Sequence, residues 1–395
     1  MVLSSLVIIE PAPYDVLAVA LFGFYFSRGL KIPNGIGFPL LLLGLCILAN
    51  VVASIISNDP LVSFKYMLIT LFLLLTWLFF TSVIYQNPVL LTKVIWQGYM
   101  VAAVFSVSVG LLAYFRLMPD SQLFLYQGRA SGTFKDANVY GPFLVPVAVY
   151  LVSRLTSTVR DHIWLNLLVF LFIIFGILLS FSRGAWANLF ISMVMYGVLR
   201  FALRKSSANS FRFFALGGIV MFITVGLIIY AITTPEIKNM FIERAHLLQV
   251  YDVERGGRFS ALYESLGLAL ENPMGIGPGL SGYYLITEPH NLYIHVLLET
   301  GWLGGISFCT FLIYSVLRGF QFYRLRSDFH EEFVVIFASV IGVLVESLII
   351  HSTHWRHLYL LLAMLWGPML FYTKNKKRYK NRMRVFYSED LDISK

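Results

Sequence analysis

The sequence is poor in charge, and this scarcity excludes most soluble folds. Only 13% of its 395 residues are charged, while 58% are hydrophobic and the mean hydropathy is +0.75. A soluble domain carries about 25% charged residues to cover its surface. Apolar runs of about twenty residues recur along the chain, and a helix of that length can cross a bilayer. We therefore predict a membrane protein.

Cysteine is scarce as well. Cys46 and Cys309 both lie inside apolar runs, so neither a disulfide framework nor a thiolate metal site is expected. The N-terminus Met1–Glu10 has no basic region, and its apolar stretch is too short for a signal peptide. The sequence also shows no internal repeat and no low-complexity tract, which disfavours the inverted-repeat transporters.

Hydropathy predicts an all-α, polytopic membrane protein of about eleven transmembrane helices in a single domain, residues 1–373. A long, partly helical outer segment, about residues 233–291, separates the eighth and ninth spans. Residues 374–395 are predicted to form a basic cytoplasmic tail. The predicted spans are approximately Tyr14–Ser27, Ile36–Ile56, Phe64–Tyr85, Ile95–Phe115, Val139–Leu155, Ile163–Phe181, Ala185–Leu203, Phe213–Ile232, Leu292–Leu317, Phe333–Ile350 and His357–Tyr372.

The distribution of basic residues predicts the orientation. Seven lysines and arginines crowd the stretch Lys374–Arg384, and such a cluster beside a span is normally cytoplasmic. With the tail inside, residues 116–138, 180–186, 233–291 and 351–356 fall on the outer face. Because no aromatic platform accompanies the basic tail, we expect membrane lipid as its partner and no nucleic acid.

Several basic residues are predicted to lie on the outer face, against the positive-inside rule. Binding an anion is the simplest reason to keep them there. They are Lys65, Arg116, Arg129, Lys135, Arg183 and Arg356 in short loops, and Lys238, Arg244, Arg255 and Arg258 in the long segment.

The outer segment contains a predicted amphipathic helix that begins at Arg258 and ends before Asn272-Pro273. Its apolar stripe is made of Phe259, Leu262, Leu266 and Leu270. Arg258 stands in the first turn, where it either binds an anion or extends toward lipid headgroups. The glycine-rich run Gly275–Gly279 follows, and it predicts either a backbone contact with a ligand or a plain turn.

An ionisable cluster marks the point where the outer segment enters the ninth span. His290 precedes that span, and His295 and Glu299 are four residues apart, so they share one helical face. A charged group inside a span costs about 2.5 kcal/mol or more. A lone histidine at an interface is more often structural, but the three groups together favour a functional site.

Four motifs share the predicted outer face, and they carry a resemblance. The motifs are Gly128-Arg129-Ala130-Ser131-Gly132-Thr133-Phe134-Lys135-Asp136-Ala137-Asn138, then Ser180-Phe181-Ser182-Arg183-Gly184-Ala185-Trp186, then Arg258 with its helix and Asn272-Pro273-Met274-Gly275-Ile276-Gly277-Pro278-Gly279, and lastly His290-Asn291 before an apolar helix with Glu299-Thr300-Gly301-Trp302-Leu303-Gly304. In this order they resemble the O-antigen ligase and O-antigen polymerase family of bacterial envelope proteins. The resemblance covers about residues 128–304.

The resemblance implies a GT-C-like helical fold and an inverting glycosyltransferase without a metal or other cofactor. It implies transfer of a glycan from an undecaprenyl diphosphate donor to a sugar hydroxyl of a glycan or lipid-linked acceptor. The reaction would take place at the periplasmic face of a bacterial inner membrane, in surface polysaccharide biosynthesis. Arg183 and Arg258 are carried over as diphosphate contacts, and His290 as the catalytic group that acts on the acceptor hydroxyl.

Elementary chemistry agrees with this assignment. A diphosphate gains negative charge as the glycosidic bond breaks, and guanidinium groups positioned beforehand stabilise it. A hydroxyl nucleophile loses its proton to a base, and a neutral histidine suits that role near pH 7. Possible substrate contacts are also predicted at Arg129, Lys135, Asn138, Asn291, His295, Glu299 and Arg356.

Two further features leave alternatives open. The spacing of His351, His354 and His357 predicts an interfacial cluster near the diphosphate or plain polarity at a helix end, and a metal site is disfavoured because no carboxylate joins them. Glu346 lies in mid-span, where pairing with a neighbouring helix is favoured over catalysis.

The alternative function is a transporter or flippase of lipid-linked glycans, which needs charged residues along the whole membrane path.

Overall fold

The computed structural model describes residues 2–9, 11–157, 162–201, 257–325, 327 and 329–374. The predicted span Phe213–Ile232, the first part of the outer segment (233–256) and the tail beyond Lys374 lie outside the described residues.

The described residues are mainly helical. In chain order the helices are α1 (Pro13–Ser27), α2 (Gly37–Ile56), α3 (Pro60–Gln86), α4 (Pro88–Tyr114), α5 (Ala137–Leu155), α6 (Ile163–Leu179), α7 (Arg183–Phe201), α8 (Arg258–Glu271), α9 (Ser281–Tyr284), α10 (Leu292–Tyr323), α11 (His330–Glu346) and α12 (Arg356–Lys374). Short 3-10 helices cover Val2–Ser5 and Ser121–Phe124. A small antiparallel hairpin joins β1 (Leu125–Tyr126) to β2 (Arg129–Ala130).

Six of the described helices are long and apolar enough to cross a membrane, namely α2, α3, α4, α5, α7 and α10. Helices α1 and α6 are apolar but shorter. The predicted all-α, multi-pass class is confirmed, whereas the count of about eleven spans stays a prediction.

Two helices begin well before their predicted starts. Helix α4 starts at Pro88 rather than Ile95, because proline suits the first helical position, where its missing N–H has no partner to lose. The Asn87 side chain caps this end by accepting the Leu90 N–H at 3.2 Å. Lys93 interrupts the apolar run, so hydropathy misses the first turns. Helix α3 likewise starts at Pro60 rather than Phe64.

Helix α12 forms the centre of the helical bundle. Its residues Leu358–Leu365 are almost completely buried, against α3, α4, α10 and α11. A helix that is apolar all round is expected to be buried in this way. The periphery instead exposes large apolar side chains such as Leu41, Leu68 and Phe190, as expected of a surface that meets lipid tails.

One end of the bundle gathers the functionally interesting loops, and we call it the outer end. Contacts between distant segments define it: the Val7 N–H donates to the Thr133 carbonyl at 3.0 Å, and the Leu292 N–H donates to the Ser347 carbonyl at 2.9 Å. The Asn58 amide donates to the Tyr284 hydroxyl at 2.6 Å. The Gly277 N–H also bonds to the Glu299 carbonyl, and Gly184 lies against Glu346, so all four predicted motifs contribute to this end. The side of the membrane that this end faces stays a prediction.

Candidate functional site

Asn291 fixes the start of α10. Its side-chain oxygen accepts the N–H groups of Tyr293 and Ile294 at 2.9 and 3.0 Å, and its amide nitrogen donates to the Leu348 carbonyl at 2.9 Å. These bonds cap the helix and tie it to the loop before α12. His290 is consequently held, half-buried, just before a capped helix end. A substrate contact of Asn291 stays a prediction, since these bonds give its amide a structural role.

His295 and Glu299 form a buried pair on α10. The His295 Nε2 lies 3.1 Å from a Glu299 carboxylate oxygen, and both side chains are almost fully buried. The expected shared helical face is thus confirmed. The His351 ring stacks on the His295 ring at a centroid distance of 3.7 Å, which joins α10 to the loop before α12.

The three histidines of the 351–357 stretch do not share one helix. His351 and His354 lie in the loop before α12, and only His357 lies in its first turn. The His354 Nε2 is 3.0 Å from the Thr70 hydroxyl of α3. Burial lowers the pKa of His354 to about 4, with further repulsion from His295 and Arg356, although Glu299 opposes the shift.

His351 connects this loop to His290. Burial holds the pKa of His351 well below its usual value, and repulsion from His295, His354 and His290 adds to the effect. His290 is therefore close enough to His351 for their charges to interact. We call His290, His295, His351 and His354 the histidine cluster. Because of its low pKa, His351 is neutral near pH 7.

The glycine-rich run packs against a break in α10. Gly301 has φ +71°, so the helix is interrupted there. The Ile276 and Gly277 N–H groups donate to the Leu298 and Glu299 carbonyls at 3.0 Å each. These bonds satisfy carbonyls that the break leaves without helical partners. A Cβ on Gly275 would lie 2.5 Å from the Glu299 carbonyl, so glycine serves this close approach rather than a plain turn.

Arg258, the first residue of α8, lies near the outer loop that precedes α5. Burial raises the pKa of the Asp136 carboxyl. Three effects oppose this shift: a hydrogen bond donated by the Asn138 N–H, the positive charge of Arg129 and the positive charge of Arg258. Arg129 itself is buried, donates to the Asn138 side-chain oxygen at 3.2 Å and lies over the Tyr126 ring at 5.1 Å. The outer end thus brings two arginines to one carboxylate.

The Gly-Thr-Phe part of the first motif anchors that loop. The Thr133 hydroxyl donates to the Ser106 hydroxyl of α4 at 2.9 Å, and Phe134 packs on Phe143 at 4.8 Å between ring centroids. Gly132 has φ +55°, and a Cβ there would lie 2.6 Å from the Ser106 carbonyl. Backbone and side chains of this loop therefore hold Lys135 and Asp136 in place.

In the Ser-Arg-Gly turn, the two residues next to Arg183, Ser182 and Gly184, have structural roles. The Ser182 hydroxyl accepts the Ala185 N–H at 3.3 Å at the start of α7. A Cβ on Gly184 would lie 2.8 Å from the Glu346 carboxyl oxygen. The Asn188 amide donates to Glu346 at 2.7 Å, which confirms the expected pairing with a neighbouring helix. Arg183 is thereby placed at the first position of α7, half-buried.

Arg356 is held by Asp15, a residue near the start of α1. Its Nε and Nη2 donate to the two Asp15 carboxylate oxygens at 2.8 and 2.6 Å. Such a two-point bond is strong and directional, and it docks α1 on α12. Any substrate contact of Arg356 would therefore involve a guanidinium whose charge Asp15 balances.

Helix α8 turns its apolar stripe away from the protein. Phe259, Leu266 and Leu270 are exposed, whereas the small residues Ala261, Ser265 and Ala269 face inward. The Trp302 indole donates to the Ala269 carbonyl at 2.8 Å, and so fixes α8 on α10. The expected amphipathic helix is present.

A family model matches the middle of the chain. Residues 168–309 match the family model described as O-antigen ligase. This stretch resembles an O-antigen ligase domain. The resemblance to the O-antigen ligase and polymerase family is thereby confirmed, and with it a general role in glycan transfer from lipid-linked substrates. The match contains Arg183, Arg258, His290, His295 and Glu299. No curated protein matches the chain.

Sequence reasoning missed several residues at the outer end. Asp136 lies inside a motif but was not singled out, and Thr70 lies in an apolar run that shows no periodic signal. Asp15 was given no role by the sequence analysis. Intramembrane or interfacial carboxylates are functional candidates by default, and that rule alone would have drawn attention to Asp15 and Asp136.

Proposed function

We propose that the protein is an inverting glycosyltransferase that needs no metal. It transfers a glycan from undecaprenyl diphosphate to a sugar hydroxyl at the outer end, which faces the periplasm. The product is a bacterial surface polysaccharide. The observation that carries the proposal is that the histidine cluster, Arg258 and Asp136 lie together at one end of the helical bundle. Residues 168–309 of the same chain match the O-antigen ligase family model.

His290 is the proposed general base. It accepts the proton of the acceptor hydroxyl while the hydroxyl oxygen attacks the anomeric carbon from the side opposite the diphosphate. The bond from the anomeric carbon to the diphosphate oxygen breaks, and the diphosphate leaves with the electron pair. One displacement of this kind inverts the anomeric configuration. A neutral His351 beside His290 favours this role, since a second charged imidazole would oppose proton uptake.

Arg183 and Arg258 are the proposed diphosphate contacts. Each stands at the first position of a helix, α7 and α8 respectively, where the partial positive charge of the helix end also favours an anion. A guanidinium placed before the reaction stabilises the charge that develops on the leaving group.

The proposal is tested with purified protein in lipid nanodiscs, using the lipid-diphosphate-linked glycan of the host and its acceptor. We expect a new glycosidic bond of inverted configuration, and unchanged product formation in the presence of EDTA. A flippase would instead move the donor across vesicle membranes and form no new bond. Translocation without bond formation, or a product of retained configuration, would refute the proposal.

A further inference from the structure

A cavity at the outer end is lined entirely by residues outside the matched stretch 168–309. It has a volume of about 320 Å³ and lies between the N-terminal segment, α1, the loop before α5 and the start of α12. This volume is at the lower end of the range of about 300–1,000 Å³ that small-molecule pockets have. Its lining residues include Tyr14, Lys135, Asp136, Phe143, His351 and His357.

Two of the lining residues carry buried polar atoms that point to a ligand with hydroxyl groups. The Nε2 atoms of His351 and His357 are buried and have no hydrogen-bond partner among the described residues. Leaving a polar atom buried without a partner costs about 1–3 kcal/mol, so a ligand that satisfies both is favoured. A neutral imidazole nitrogen either donates or accepts, and a sugar hydroxyl does both.

The aromatic walls suit the remaining part of a sugar. Phe143 and Trp355 both line the cavity and both contact the His357 ring, at centroid distances of 5.9 and 5.1 Å. The C–H face of a pyranose ring packs well on aromatic rings, while its rim carries the hydroxyls. A lipid tail would leave the imidazole nitrogens without partners.

The charged groups of the lining do not select an anion. They are Asp136, Lys135 and Arg356, and the Arg356 guanidinium is already bound by Asp15 through two bonds. An uncharged ligand with hydroxyl groups is favoured by the two imidazole nitrogens rather than by the charges.

We propose that this cavity is a subsite for one pyranose residue of a glycan substrate, with His351 and His357 as hydrogen-bond partners and Phe143 and Trp355 as the packing surface. The inference rests on the proposed function. His351 lines the cavity and also stacks on His295, so a sugar held here lies beside the histidine cluster. The pyranose belongs either to the acceptor or to the donor glycan.

Binding is measured directly by saturation-transfer NMR on the full-length protein in nanodiscs. The probes are methyl glucoside, methyl galactoside, methyl mannoside, methyl rhamnoside and N-acetylglucosamine. We expect at least one probe to receive saturation from the wild-type protein. The signal should be lost in Val139→Phe, which fills the cavity, and kept in Val152→Phe, a half-buried valine elsewhere on α5. No transfer to any probe, or equal signals in both variants, would overturn the subsite.

His357 provides the second arm. His357→Leu should weaken probe binding about three- to tenfold, as expected for one lost hydrogen bond, whereas His357→Gln should keep most of it. The apparent melting temperature should stay near wild type in both, because the Nε2 atom bonds no described protein group. Equal weakening by leucine and glutamine, or unchanged binding in both, contradicts the assigned hydrogen bond.

Competition kinetics then identify the source of the sugar. A bound probe that competes with the acceptor assigns the cavity to the acceptor, and one that competes with the lipid-linked donor assigns it to the donor glycan. A probe that binds without affecting either substrate would contradict a role in transfer. NMR binding does not depend on catalysis, so a subsite failure with intact glycan transfer is distinguishable from a failure of the proposed function.

Discussion

Each end of the helical bundle buries an arginine, but the contacts of the two arginines differ. We call the end opposite the outer end the inner end. At the inner end, the Arg200 guanidinium donates to the Thr156 carbonyl at 2.8 Å, to the Thr156 hydroxyl and to the Tyr196 hydroxyl. At the outer end, Arg129 contacts Asn138 and Tyr126 and interacts electrostatically with Asp136, which lines a cavity. The inner arginine completes a closed network, whereas the outer one lies near a carboxyl group that borders a space a ligand can enter.

Within the described part of the chain, buried polar atoms without partners occur at both ends, but their chemistry differs: at the inner end they include the hydroxyl groups of Thr92 and Ser327. The outer end contains a cluster of buried imidazole and carboxyl atoms without hydrogen-bond partners among the described residues: His295 Nδ1, Glu299 Oε1, His351 Nε2 and His357 Nε2. Groups of this kind reduce stability. We infer that the inner end is arranged for stability and the outer end for binding, and the following predictions address this difference.

The largest effect is expected from His290. His290→Ala should lower the transfer rate about 10²–10⁴-fold, since that is the contribution of a well-placed general base. His295→Ala should retain measurable product, because His295 is buried against Glu299 and supports the site. Both are measured in the reconstituted assay, with donor binding as a control for folding. Wild-type turnover in His290→Ala together with an inactive His295→Ala would reverse the assignment.

The next effect concerns the outer arginines. Arg258→Lys and Arg183→Lys should lose about 10²-fold in rate, nearly as much as the alanine variants, because an ammonium does not reproduce the planar guanidinium on a diphosphate. The control is Arg200→Lys at the inner end, which should lower the melting temperature and leave the rate per folded molecule close to normal. Normal glycan production from both outer lysine variants would remove the arginines from the site.

Gly301 tests the break in α10. A Cβ there would lie 2.4 Å from the Pro273 carbonyl, and the backbone has φ +71°, so Gly301→Ala should cost about 1–3 kcal/mol in backbone strain alone. Gly267 on α8 has no atom near its missing Cβ, and Gly267→Ala should be neutral or stabilising by about 0.5–1 kcal/mol. Thermal unfolding in nanodiscs compares the two. Equal melting temperatures would show that the break is not required.

Lowering the pH should reduce the stability of the folded protein through a histidine at the outer end. The pKa of His354 is about 4 in the folded protein and near 6.5 when unfolded. Between these values the unfolded chain binds the extra proton, so His354 lowers the stability as the pH falls from about 6.5 toward 4, by at most about 3 kcal/mol. His351, whose pKa is also well below its usual value, adds to the fall. The apparent melting temperature should therefore drop between pH 7.5 and pH 5. His354→Gln should reduce this drop, and His162→Asn at the inner end should not. An equal drop in wild type and His354→Gln would exclude this origin.

The smallest perturbation tests orientation, because it should leave activity unchanged. In a protein lacking Cys46 and Cys309, Leu123→Cys and Ile286→Cys occupy exposed positions of the outer end. An impermeant thiol reagent should label both in intact cells and should not label Ser388→Cys in the tail. Labelling of the tail position alone would reverse the orientation and the periplasmic location of the proposed site.

Local sequence was sufficient for the elements and for part of the site. The apolar runs predicted the helices, and the spacing of His295 and Glu299 predicted their pairing, because residues four apart on a helix must be neighbours. Prolines and their capping neighbours, rather than hydropathy, decided where α3 and α4 begin. The four motifs predicted which segments would share one end.

Tertiary packing decided the rest. His351 and His295 are far apart in sequence, and the meeting of their rings depends on how the loop before α12 docks on α10. The same holds for Arg356 and Asp15, which lie near opposite ends of the chain. Spacing in the sequence carries information only where the backbone geometry is regular. The cavity, the pKa values of His351 and His354, and the break at Gly301 arise from contacts between segments, and only the folded protein determines them.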